Sequence, residues 1–159
     1  MINCDKEETI RVPRFKNENG FYTTRERSVL MAKIKSKNTS PEILFRKALW
    51  ALGLRYRLHG KKLPGNPDIV IKKYRIVIFI DGEFWHGYDW EQKKTKIKSN
   101  RDFWIPKIER NMQRDTSNNI KLQEMGFKVF RFWGNDIKRN SKVYIAEINS
   151  YINNRAFNL

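Results

Sequence analysis

Apolar positions keep no steady period before Glu26 and fall into clear periods after it. The stretch ERSVLMAKIKSK spaces Val29, Met31 and Ile34 near a helical turn, which predicts a short helix. NTSPEILFRKALWALG predicts a longer one. Thr39 or Ser40 can cap it, Pro41 suits its first turn, and Gly53 supplies a left-handed stop. Its apolar stripe is read as Leu44, Ala48, Ala51 and Leu52, widened by Phe45 and Leu49.

The period then shortens to two. LRYRLH (54–59) alternates like a half-exposed strand, and LPGNP (63–67) is a turn. DIVIK (68–72) and RIVIFID (75–81) are β-branched runs joined at Lys73-Tyr74, so they predict a hairpin. The second run is apolar on both faces, as in a central strand. Residues 82–100 keep no period and read as a long functional loop. A helix is predicted from Trp104 to Met125, with Pro106 in its first turn to spare the ladder and Gly126 as its stop. FKVFRFW (127–133) is a further strand and residues 142–153 a closing helix. The fold class that follows is α/β: a mixed central sheet flanked by helices, core order α-β-β-β-α-β. Residues 1–24 are expected to be a flexible N-terminal arm and 25–159 the folded domain.

Charge changes the picture more than length does. In 159 residues, 33 Lys and Arg face 17 Asp and Glu, a net charge of +16, which suggests a polyanionic partner such as nucleic acid. No run is long and apolar enough for a membrane span, and the first residues lack the apolar stretch of a signal peptide. A single cysteine, Cys4, excludes an intrachain disulfide framework, so the cytoplasm is the expected compartment.

Several residues could carry chemistry. Asp68 opens one apolar strand and Asp81 closes its partner, so a closed hairpin brings both carboxylates to one edge of the sheet. There they either share a hard cation or are ordinary strand-end turn residues. His86 follows in D-G-E-F-W-H-G, either as a base for a water attacking phosphorus or as a hydrogen-bonded loop histidine. His59 has no such neighbours. Glu83 follows Asp81 at period two and reads more as a solvated loop residue than as support for a cation. Asp115 continues the seam Ile105, Ile108, Met112, Asn119, Leu122, so it needs a cationic partner, structural or catalytic. Glu42 by position alone is a first-turn acid favoured by the helix dipole. Phe84, Trp85, Trp90, Phe103 and Trp104 follow no period. Lying among lysines, they suit stacking on bases or wedging between them, or else form a satellite cluster under the loop. Lys107 and Asn111 share a helix face.

Together these blocks resemble the very short patch repair (Vsr) mismatch endonucleases, within the wider PD-(D/E)XK nuclease group. The resemblance runs from Arg27 to Lys138. It rests on RSVLMAKIKSKNTSPE (27–42), LRYRLH and LPGNPDIV (54–70), VIFIDGEFWHG (77–87), and RDFWIPKIERNMQRD (101–115) leading into FKVFRFW. It implies a Mg²⁺-dependent enzyme that nicks one strand of double-stranded DNA beside a T·G mismatch, acting as a monomer in the cytoplasm at the nucleoid. On the restriction-endonuclease-like fold that the resemblance implies, and carried over by position, Asp68 resembles the principal Mg²⁺ ligand, and Ile80 would offer its backbone carbonyl to the metal region. His86 resembles the catalytic histidine, and Glu42 and Asp115 its supporting carboxylates. Phe84, Trp85 and Trp104 resemble the wedge that enters the duplex, and Met31 the residue entering from the opposite groove. Lys107 and Asn111 match positions that contact the mismatched pair.

The chain also departs from the family pattern. Members carry a structural zinc held by cysteines and histidine, but the matching positions here are Glu83, Tyr88, Trp90 and Asn135, so no zinc is expected. The loop must be held otherwise, and packing of Trp90 on Trp133 is the expected substitute. Asp81 stands where some members have histidine. Two alternatives remain at this point: a restriction-like nuclease without mismatch specificity, and a DNA-binding module without catalysis.

Overall fold

The computed structural model describes residues 8–156; Cys4 lies outside them. Four strands form one mixed sheet in the order β1 (Arg57–Leu58), β2 (Ile69–Ile71), β3 (Ile76–Asp81), β4 (Lys128–Trp133). The expected hairpin is present: β2 and β3 pair antiparallel, Ile69 opposite Ile78, across a 3-10 turn at Lys72–Tyr74. Next to it β4 runs parallel to β3, with Phe79 opposite Arg131 and Asp81 opposite Trp133. The LRYRLH run contributes only two residues to the sheet, as edge strand β1.

Alternation divides the sheet between two layers. Ile69, Ile71, Ile76, Ile78, Phe130 and Phe132 pack with Phe45 and Leu49 of α2 (Ser40–Ala51) and with Ile137, Ile148 and Ile152 of α5 (Gly134–Ala156). The opposite face carries Val70, Val77 and Phe79 against Leu122 of α4 (Arg101–Glu124). The mixed sheet flanked by helices is therefore the expected fold, with β3 buried on both faces.

Four details differ from the sequence reading. On α2 the buried residues are Glu42, Phe45 and Leu49, while Leu44 and Leu52 are exposed. Apolar side chains surround this helix, so the phase of its stripe was ambiguous. The loop after β3 holds a short helix, α3 (Trp90–Lys96), whose sequence carries no apolar period. Helix α4 begins at Arg101, which places Pro106 beyond the first turn, where it leaves the Asp102 carbonyl without its intrahelical N–H. Finally, α5 starts at Gly134 and is broken at Asn140 (φ −155°, ψ 69°), so the closing helix is preceded by a short helical segment.

Before the sheet, α1 (Arg25–Ala32) is capped by Thr24, whose Oγ1 accepts from Arg27 N–H at 3.3 Å, and buries none of its residues. Residues 8–24, the described part of the expected arm, lie along α4. Ile10 N–H donates to Gln113 Oε1 (3.2 Å), and Gln113 Nε2 donates to the Glu8 carbonyl (3.1 Å). Phe15 and Phe21 pack on Phe103 with ring centroids 4.9 and 5.6 Å apart. Among the described residues no helix is long and apolar enough to cross a membrane.

Candidate active site

The site is built at the end of the sheet where β3 stops. Asp68, Phe79, Asp81 and Arg131 all project toward α4, because the registers place them at alternate positions of one face. A cavity of about 1190 Å³ opens there, lined by Glu42, Asp68, Ile80, Asp81 and His86, with Met31, Phe84, Trp85, Lys107 and Asn111 around it.

Asp68 sits just before β2, held by one hydrogen bond: Ile80 N–H donates to its Oδ2 at 2.8 Å. Burial pushes its carboxyl up to about 6, the charges of Glu42 and Asp81 push the same way, and the Ile80 N–H and His86 oppose them. Among the described residues no Lys, Arg or His forms an ion pair with it. The Ile80 carbonyl lies on the same side of its strand as the N–H. Pro67, which continues the register opposite Ile80, has no N–H to offer it. A half-buried acid that receives the Ile80 N–H and makes no ion pair among the described residues is the oxygen chemistry a hard divalent ion takes. Among the described residues no three His, Cys, Asp or Glu side chains converge as a cage. One carboxylate and a backbone carbonyl are a donor set that a hard divalent ion keeping several waters can use.

Asp81, expected to join Asp68 on the cation, is engaged elsewhere: Arg131 Nε and Nη2 donate to its Oδ2 and Oδ1 at 2.7 and 2.8 Å. The seam carboxylate Asp115 has two partners, His86 Nδ1 at 2.5 Å on Oδ2 and Arg131 Nη2 at 3.2 Å on Oδ1. Burial pushes Asp115 up, but the hydrogen bond from His86 and the positive charges of Arg131 and His86 outweigh it and hold the carboxyl below its usual range. An ionised Asp115 can only accept, so Nδ1 of His86 is the donor of this pair and Nε2 lies outside it. The turn after β3 aims the ring, with the N–H groups of Trp85 and His86 both directed at the Gly82 carbonyl (3.1 and 3.2 Å). Gly87 has φ +73°, and a Cβ there would collide with Met112.

Glu42 is the buried acid of the capping box of α2: Thr39 Oγ1 and N–H donate to its Oε1 (2.7 and 3.4 Å) and Asn38 N–H to its Oε2 (2.9 Å). Helix-dipole logic explains its position, and burial beside Asp68 adds an electrostatic effect. His59 also lines the cavity, where its N–H pairs with the Asp68 carbonyl at 3.0 Å.

The unperiodic aromatics come together in space. Phe84, Trp85 and Trp104 form a triangle of edge-on contacts with centroids 5.1–5.7 Å apart, and Phe84 is 46% exposed. Phe84 and Trp104 line a second cavity of about 710 Å³ together with Leu30 and Met31 of α1 and with Arg27, Lys93 and Lys96, while Trp85 lines the first. Met31, Glu83 and Phe84 line both cavities, so the two are neighbours. Lys107 faces the first cavity, whereas Asn111 is buried with its Nδ2 donating to the Trp85 carbonyl (3.0 Å).

The loop is held by polar and aromatic contacts at the four positions noted above. Glu83 Oε1 accepts from Asn135 N–H (2.6 Å), and Tyr88, rather than Trp90, packs on Trp133 at 5.1 Å. Trp90 instead donates to Glu109 Oε1, which also pairs with Lys94. The residue that sequence reasoning missed is Arg131. Its only signal was a charge in the middle of the aromatic-rich strand FKVFRFW, which also carries Lys128 at its start.

A family model described as DNA mismatch endonuclease Vsr matches residues 19–92. The type II nicking enzyme V.HpaIIP of Haemophilus parainfluenzae is 52% identical over 126 residues, 79% of this chain and 89% of that protein. The type II nicking enzyme V.NmeDIP of Neisseria meningitidis serogroup C is 51% identical over 119 residues, 75% and 80% of the two chains. The DNA mismatch endonuclease Vsr of Escherichia coli K12 is 36% identical over 107 residues, 67% and 68%. Such a chain is a DNA endonuclease. More narrowly, it belongs to the DNA mismatch endonuclease Vsr family.

Proposed function

We propose that this protein is a Mg²⁺-dependent endonuclease that nicks one strand of duplex DNA beside a T·G mismatch. One observation carries the reading: Asp68 and His86 face a single cavity that neighbours an aromatic groove. The names of its relatives, nicking enzymes and a mismatch endonuclease, support the single-strand cut and the mispaired substrate.

Asp68 and the Ile80 carbonyl would hold the cation, with Asp81 withheld by Arg131. A divalent ion there supplies Lewis acidity, lowering the pKa of its water and countering the charge that develops on the phosphate. His86 takes the proton of the attacking water at Nε2, and Asp115 steadies the imidazolium that results. Glu42 fixes the link between α1 and α2 and adds negative charge beside Asp68. Phe84, Trp85 and Trp104 wedge the duplex at a step that mispairing has already weakened, while Met31 enters from the facing wall. Lys107 contacts DNA, and Asn111 holds the Trp85 carbonyl and so the wedge. The surplus of basic residues supplies salt-sensitive affinity.

The test is nicking of a 5′-labelled T·G duplex in Mg²⁺ by wild type and His86→Ala. A loss of about 100-fold or more is expected for the variant, as for removal of a general base. Undiminished nicking by His86→Ala would contradict the assignment.

A further inference from the structure

We infer that Arg131 is a positioning residue of the catalytic centre, and that Asp81 serves it rather than the cation. The inference rests on the reading of His86 as the base. Arg131 stands opposite Phe79 on the parallel pair β3–β4, its guanidinium 4.3 Å from the Phe79 ring. From there one planar group reaches four oxygens on three residues: both of Asp81, Oδ1 of Asp115 at 3.2 Å, and Oδ1 of Asn119 at 3.0 Å. The two carboxylates it binds are the two that face His86. Nδ1 is 2.5 Å from Asp115 Oδ2 and 3.6 Å from Asp81 Oδ1.

The arrangement has a direct physical consequence. Asp115 is held at both ends, by the Arg131 ion pair at Oδ1 and the His86 hydrogen bond at Oδ2, so the carboxylate and the ring it orients are fixed together. Asp81 is 6% exposed, and a buried carboxylate needs a full counter-charge. Arg131 provides it bidentately, a geometry that lysine does not reproduce. Both oxygens bond to the guanidinium, and Oδ1 also lies 3.6 Å from His86 Nδ1, so Asp81 is oriented toward Arg131 and His86. It supplies negative charge behind His86.

The test uses the full chain in Mg²⁺-titrated nicking assays with wild type, Arg131→Met, Arg131→Lys, Asp81→Asn, the double variant D81N/R131M and His86→Ala. Because Arg131→Met strands a buried carboxylate, the double variant, which removes both charges, guards against simple unfolding. We expect Arg131→Met and the double variant to lose about 10- to 100-fold in kcat at an unchanged half-saturating Mg²⁺, the scale of a misaimed base. Arg131→Lys should recover part of the loss. NMR of ¹⁵N-labelled protein without Mg²⁺ or DNA should show a hydrogen-bonded His86 Nδ1 proton in wild type, lost in the double variant. The inference is overturned if Asp81→Asn raises the half-saturating Mg²⁺ by about tenfold or more while the double variant keeps wild-type kcat and the Nδ1 resonance. A normal rate in the double variant with loss in His86→Ala overturns this inference alone. Full activity in His86→Ala overturns the reading beneath it.

Discussion

Replacing Asp68 by asparagine should stabilise the protein while abolishing its activity. The side chain keeps its shape, and its amide oxygen can still accept the Ile80 N–H now bonded at 2.8 Å. What disappears is a charge that folding disfavours. Burial, reinforced by the charges of Glu42 and Asp81, raises the carboxyl from an ordinary 3.8 to about 6. That displacement corresponds to about 3 kcal/mol as a ceiling. Solvent reaching a partly exposed group reduces it to about 1–2 kcal/mol. Because the folded state holds the proton more tightly than the unfolded chain, the cost is absent below pH 4, grows from pH 4 to 6, and is complete above. Urea denaturation without Mg²⁺ should therefore find Asp68→Asn more stable by about 1–2 kcal/mol at pH 7.5, with the advantage gone near pH 4. Saturating Mg²⁺ should stabilise wild type but not the variant, by about 3 kcal/mol at a hundredfold excess over the dissociation constant. A variant less stable than wild type at pH 7.5, or an advantage that does not change with pH, would refute the reasoning.

Glu42→Ala removes the acceptor of three hydrogen bonds at the start of α2 and should lower stability by about 1–2 kcal/mol, read as a shift in the urea midpoint. Trp104→Ala should weaken binding to a T·G duplex by about 1–3 kcal/mol, measured by fluorescence anisotropy, and affect a matched duplex less. Tyr88→Ala breaks the contact with Trp133 and should cost about 1 kcal/mol, with faster proteolysis between residues 82 and 100 as the readout.

Where chemistry and period coincide along the chain, the sequence already contains the structure. Two β-branched runs separated by a short polar turn define the β2–β3 hairpin, and Asp68 at its mouth follows directly. Asp115 is legible for the same reason: a charge on an apolar seam demands a partner, and His86 and Arg131 meet that demand. The phase of α2 is not legible, because Leu44 and Leu52 compete with Phe45 and Leu49 and only packing against α5 and the sheet decides between them. The fate of Asp81 is hidden more deeply. Its partner lies 50 residues away and arrives through parallel pairing of β3 with β4, a register that no local pattern specifies. Docking of residues 8–24 on α4 depends likewise on Phe15 and Phe21 meeting Phe103, three aromatics without a shared period.

The central claim is a mismatch-selective nick by a cation- and histidine-assisted water. It is tested most directly by single-turnover cleavage of two duplexes that differ only in one T·G or T·A pair, with each strand labelled in turn and Mg²⁺ present. Cleavage should be confined to the thymine strand of the mispaired duplex, next to the mismatch, and the matched duplex should be cut about 100-fold more slowly. Equal rates on both duplexes, or cuts in both strands, would contradict it.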